Sequence, residues 1–168
     1  MATGHASITP EQAALIREAK LFFVASAAPD LSEGPSGQGP VNLSPKGGTP
    51  LHIINDNRVA YLDYTGSGNE TARHANRGGP MTIMVMSMDG SDAAVVRLYG
   101  KAQVVPLEQS ELKERLLSAP AEDIELPMRQ VIDLTIESTQ TSCGYGVPVY
   151  EYMAQRVRAQ RGRRFKDS

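Results

Sequence analysis

The chain holds one cysteine, Cys143, in 168 residues. No internal disulfide can form, and a structural zinc site built on cysteines is excluded. A reducing, cytoplasmic setting is expected. Histidine is almost as sparse: His5, His52 and His74 are scattered, with no HExxH or paired spacing, so no metal site is expected. No run is long and apolar enough to span a membrane. Residues Met1 to Pro10 lack a basic region followed by an apolar stretch, so no signal peptide is expected. A Walker A sequence is missing too, since Lys46-Gly47 stands in the wrong context.

Charge is unevenly spread. From Ala154 to Ser168, five arginines and Lys166 face one acid, Asp167, a local balance of +5. Taken from the overall −2, this leaves −7 on the rest of the chain. An acidic body argues against a nucleic-acid-binding core. The basic tail, about 154–168, reads as a solvated helix end. The length fits a single domain over 1–168.

Along the chain, Thr9-Pro10-Glu11-Gln12 reads as a capping box with proline at the first helical position. Leu21 to Ala27 is a strand, and Pro29 to Pro40 a Gly-, Ser- and Pro-rich loop. Val41 and Leu43 alternate with Asn42 and Ser44 as on a half-buried strand, which Pro45 is expected to end. His52 to Ile54 and Val59 to Leu62 are strands joined at Asn55-Asp56-Asn57. Met81 to Met88 and Ala94 to Val105 are two more, the latter with Gly100 marking a bulge or bend. A helix over Leu107 to Leu117, a Pro-containing connection over 118–129, and an alternating strand over Val131 to Thr141 follow. Ser142 to Pro148 is a Gly-rich loop, and a helix is expected from Tyr150 into the tail. About seven strands that do not alternate regularly with helices exclude a doubly wound parallel sheet. The expectation is a mainly β fold with peripheral α: a small antiparallel barrel.

The most informative stretch runs from Val59 to His74. A strand breaks into Thr65-Gly66-Ser67-Gly68, and Asn69 is placed to cap a helix whose first turn holds Glu70. Such a turn gathers backbone N–H groups and hydroxyls that suit an anion, most often a phosphate. It lacks the third glycine of a dinucleotide fingerprint, and the sheet around it reads as antiparallel, so a Rossmann site is rejected. Lys46, at another strand end, supplies a point charge, and together they form a phosphate clamp. Arg97 offers a second cation. Cys143 is exposed by flanking glycines but has no visible partner base, so it reads as inert. His74, on the helix, reads as a surface or packing residue. No acid–base pair stands out, and no catalytic residue is assigned.

Four segments in order, GPVNLSPKG at 39–47, LDYTGSGNETARH at 62–74, VVRLYGKAQVV at 95–105 and TSCGYGVP at 141–148, resemble the pyridoxamine 5′-phosphate oxidase-related, FMN-binding split-barrel family. The resemblance covers most of residues 15–156. It implies an antiparallel split β-barrel paired as a homodimer, with FMN in each of two clefts at the subunit interface. Asn42, Leu43 and Ser44 would edge the flavin ring, Lys46 would hold the phosphate, and Ser67, Gly68, Asn69 and Thr71 would form the phosphate turn. Arg97 matches a strand position close to the cofactor. Cys143, Gly144 and Tyr145 would approach the cleft late in the chain. The pyridoxine-phosphate oxidases close with a segment carrying arginine and tryptophan; this chain has no tryptophan and ends in SCGYGVPVYEYMAQR before its tail. Vitamin B6 oxidation is therefore not carried over. What the resemblance implies is an FMN-dependent oxidoreductase acting on an unidentified small molecule. The alternatives are a flavin-binding module for storage, sensing or electron relay, and a same-fold protein using another cofactor such as a deazaflavin or haem.

Overall fold

Thr9 and Gln12 set the first helix. The Gln12 N–H donates to Thr9 Oγ1 (3.3 Å) and the Thr9 N–H to Gln12 Oε1 (3.1 Å), with Pro10 at the first helical position. The computed structural model describes residues 2–31, 40–66, 68–90, 93–118 and 126–156. In chain order its elements are β1 (Thr3–His5), α1 (Pro10–Glu18), β2 (Leu21–Ala27), β3 (Val41–Gly47), β4 (His52–Asn55), β5 (Arg58–Tyr64), α2 (Glu70–Asn76), β6 (Pro80–Met86) and β7 (Ala94–Pro106). A 3₁₀ turn (Leu107–Gln109), α3 (Lys113–Ser118) and β8 (Met128–Cys143) follow.

All pairings are antiparallel, in the order β3-β2-β6-β7-β8-β5-β4. The long β8 takes β5 along its first half and β1 along its second. The two ends of the sheet, β3 and β4, are not paired with each other, so the barrel is split. Val24, Ile83, Leu98 and Leu134 point into it and are fully buried. Ile16 of α1 and Ala72 and Ala75 of α2 pack against the same core. Gln12 pins α1 to β8: it donates to Thr141 Oγ1 (2.9 Å) and accepts from the Thr139 hydroxyl (3.0 Å). A second, smaller core lies on the far face of β5, where Ala60, Leu62 and Val131 meet Leu107, Leu112 and Leu116.

Four local expectations are corrected. The sheet has an eighth strand, β1, whose three residues carry no apolar alternation and are placed by their partner β8. Strand β3 runs through Pro45 to Gly47, because β3 is an edge strand and an edge tolerates a residue without an N–H. The helix expected over Leu107 to Leu117 is broken at Ser110, which is extended and accepts the Leu112 N–H at its own hydroxyl (3.2 Å). Residues 150–156 are not helical: the Tyr150 N–H donates across the chain to the Met88 carbonyl (2.7 Å), which holds this segment as a strap. The tail beyond 156 and most of the loop expected between Pro29 and Pro40 lie outside the described residues.

The bulge foreseen at Gly100 is present. Tyr99 pairs with Ser138 and Gly100 with Ile136, which leaves Glu137 unpaired. A Cβ on Gly100 would stand 1.9 Å from the Thr135 carbonyl oxygen, a backbone atom that cannot step aside. Gly100→Ala is therefore expected to lower stability by about 2 kcal/mol, read as a lower urea midpoint with an unchanged denaturant slope; an unchanged midpoint would show that the bulge relaxes freely.

Candidate functional site

The gap between β3 and β5 is bridged by side chains instead of a strand ladder. Along β3, Asn42, Ser44 and Lys46 share the half-buried face, and Val41, Leu43 and Pro45 share the exposed one. Opposite them stands Asp63 of β5, whose side chain is 7% exposed. Its Oδ1 accepts from Lys46 Nζ (3.0 Å); its Oδ2 accepts from Arg129 Nη2 (2.6 Å) and Gln130 Nε2 (2.8 Å). The same Gln130 amide donates to Asn69 Oδ1 (2.8 Å), at the start of α2. Asn42 Nδ2 reaches both Ser44 Oγ (3.0 Å) and Thr71 Oγ1 (3.3 Å). The Lys46 ammonium also lies over the Tyr61 ring, 5.7 Å from its centre, and that ring meets Phe22 edge-on.

Register explains the convergence. Asp63 pairs directly with Gln130 across β5 and β8, so both project to one side. The cluster holds two cations against one carboxylate. Lys46 carries three N–H donors and gives one to Asp63, and it remains 22% exposed. Arg129 is 25% exposed, and its Nε is buried without a hydrogen-bond partner among the described residues. This surplus of positive charge and donors can hold an anion such as a phosphate.

Burial alone would raise the Asp63 carboxyl. The Lys46 charge and the hydrogen bonds from Arg129, Gln130 and Lys46 outweigh it, and the group lies below the ordinary aspartate range. Tyr61 goes the other way: burial first, then the Asp63 charge, push its hydroxyl well up.

The structure brings Asn42, Ser44, Lys46, Gly68, Asn69 and Thr71 into one neighbourhood, with Gly68 presenting its carbonyl 3.5 Å from the Arg129 guanidinium. Ser67 lies outside the described residues. Asn69 holds the capping position, but its side chain makes no cap bond and is held by Gln130 instead. Leu43, 65% exposed, turns to the opposite face of β3. So does Arg97: Pro45 pairs with Phe23, Phe23 with Met84, and Met84 with Arg97, one position out of step with the buried row. Arg97 donates to Ser142 Oγ (2.9 Å). Cys143 ends β8, at the far end from Gln130; Gly144 donates to the Ala93 carbonyl, and Tyr145 is almost fully exposed. Within one chain these three residues and Arg97 stand apart from the Lys46 cluster. His74 is buried, with its Nδ1 3.0 Å from Ser26 Oγ, and is a packing residue.

Sequence reasoning missed Asp63, Arg129 and Gln130 as members of the site. A signal existed for the first: an acid at the end of a strand buried on both faces needs a cation nearby. For the other two, the pairing of β5 with β8 had to be known.

Residues 8–143 match the family model for pyridoxamine 5′-phosphate oxidase. A curated relative, the pyridoxamine 5′-phosphate oxidase family protein ustO of Aspergillus flavus, is 32% identical over 133 residues, which cover 78% of this chain and 50% of the relative. The chain thus spans about half the length of the curated relative it matches. Among solved structures, a variant of HupZ from Group A Streptococcus is similar with a TM-score of 0.59 at 19% identity, covering 80% of this chain and 99% of that one. The FAD binding protein from Mycobacterium smegmatis is similar with a TM-score of 0.52 at 12% identity, covering 82% and 97%. Both likenesses are likenesses of fold.

The Asp63 cluster sets an acid limit. Because folding lowers the Asp63 carboxyl, the stability it supplies is complete above the unfolded value, about 4, and is lost as pH falls through the folded one. Asp63→Asn is expected to be less stable at pH 7 by about 2 kcal/mol and to lose less on acidification. Urea midpoints taken from pH 7 to pH 3 check this; parallel acid profiles would remove Asp63 from the account.

Proposed function

The chain belongs to the pyridoxamine 5′-phosphate oxidase family, and from that premise we propose that it is an FMN-binding flavoprotein, an oxidoreductase acting on a small molecule. The observation that carries this reading is the anion-ready cluster between β3, β8 and the start of α2. FMN needs cations and donors for its phosphate and a flat, largely apolar margin for its ring. Lys46 would hold the phosphate, with Arg129 as a second cation. Gly68, Asn69 and Thr71 would line the phosphate turn, together with Ser67. Asn42 and Ser44 would edge the ring along β3, and Leu43, whose side chain turns to the other face, would meet it only through its backbone. A bound flavin supplies the hydride or electron transfer. The side chains here bind, orient and tune. The fold neighbour named for FAD binding supports a flavin as the cofactor class.

The same reading includes a homodimer in a reducing compartment. Val41 and Leu43, 62% and 65% exposed on the outer face of β3, supply apolar surface for a second copy. Arg97, Cys143, Gly144 and Tyr145, remote from the cluster of their own chain, would serve the cleft from the partner subunit. A non-catalytic flavin module is the second reading. It is favoured by the pairing of Lys46, Asp63 and Arg129 with one another, which leaves no unengaged acid or base among these three. Reoxidation of the reduced protein by a defined acceptor, faster than by oxygen alone, decides for turnover.

The purified protein is expected to show a flavin absorption spectrum and to release FMN near one per chain on heating. Lys46→Ala and Arg129→Ala should each weaken FMN binding by about 10- to 100-fold, the worth of a charge-assisted hydrogen bond, measured by flavin fluorescence quenching. A colourless protein that also refuses added FMN overturns the flavin reading; unchanged affinity in a variant removes that residue from the site.

A further inference from the structure

A cavity of about 550 Å³ lies where the end of α1, the start of β2, the edge strand β3 and the end of β6 meet the strap 150–156. Its volume falls within the range of pockets that hold small organic ligands, about 300–1,000 Å³. Pro45 and Gly47 border it, whereas Lys46 between them projects to the other face and onto Asp63. The cavity and the anion cluster therefore occupy opposite sides of one strand.

Its lining differs in kind from the cluster. Leu21, Met86 and Met88 line it from the sheet side, and Tyr150 and Tyr152 line it from the strap. Methionine sulfur and tyrosine rings favour flat aromatic partners. The strap is held in place by the Tyr150 N–H on the Met88 carbonyl (2.7 Å) and by the Lys20 ammonium 5.8 Å from the centre of the Tyr152 ring. Among the lining charges, Glu18, Asp89 and Glu151 stand against Lys20 and Arg156, so the lining holds no excess of cations of the kind found at Lys46.

We propose that this cavity is a second binding site, for a neutral, flat aromatic molecule about the size of a pair of linked or fused rings. The claim does not rest on the flavin reading. Its probe is N-phenyl-1-naphthylamine, dark in water and bright in apolar surroundings, titrated into the full chain. Saturable brightening at one probe per chain is expected, displaced by 2-naphthol and about tenfold less well by 2-naphthoate. Met86→Glu and Tyr152→Ala should each weaken binding about tenfold or more. Lys46→Ala and saturating FMN should leave it unchanged.

Several outcomes overturn the proposal: no saturable signal from protein shown folded by circular dichroism, or full binding in both cavity variants. Displacement by FMN together with loss in Lys46→Ala would make the cavity part of the flavin site and end its independence. Failure of FMN to bind, with the probe still bound, would sink the flavin reading and leave this one standing.

Discussion

One buried carboxylate holds the split in the barrel together. Asp63 stands where β3 and β5 approach without pairing, and it gathers donors from Lys46 on β3 and from Arg129 and Gln130 on β8. Through Gln130 it also fixes Asn69, and so the start of α2. An unpaired carboxylate in this position would be too costly to keep ionised. Its three donors are therefore both the condition for its charge and the cross-links of the gap. An arriving phosphate would draw on Lys46 and Arg129 as Asp63 does. Any anion bound at this point would therefore compete with Asp63 for the same two cations.

Much of the fold was legible because its signals are local. The Thr9–Gln12 box, the alternation in β2 and β8, and the β7 glycine opposite the β8 bulge each follow from contacts a short stretch makes with itself or from the needs of a bent strand. Family resemblance then supplied the split barrel as a whole. What stayed hidden depends on partners distant in sequence. Thr3–His5 is a strand only because β8 has room beside it. Residues 150–156 run as a strap tied by the Tyr150 N–H to the Met88 carbonyl, a partner far away in sequence. Ser110 breaks a stretch whose leucine spacing reads as one helix, since its hydroxyl offers the backbone a local alternative.

The candidate site divides along the same line. Asn42, Ser44, Lys46 and Thr71 lie in motifs that speak for themselves, and they do converge. Arg97 shows the limit of that reasoning: a strand residue one position out of step faces the other side of the sheet. Gln130 gains meaning only from its register with Asp63, and Arg129 from the register shift that follows, where Tyr64 pairs with Met128. The two faces of β3 also separate two kinds of surface, the Lys46–Asp63–Arg129 charge cluster and the cavity under the strap.

Pro45 adds a consequence of its own. It sits midway along β3, at the free edge of the sheet, and removes one backbone donor from that edge. An uninterrupted edge is a template onto which further strands add without limit, the first step toward fibrils. With a donor missing in the middle, a foreign strand meets a broken ladder. Open-ended addition of strands at this edge is thereby disfavoured.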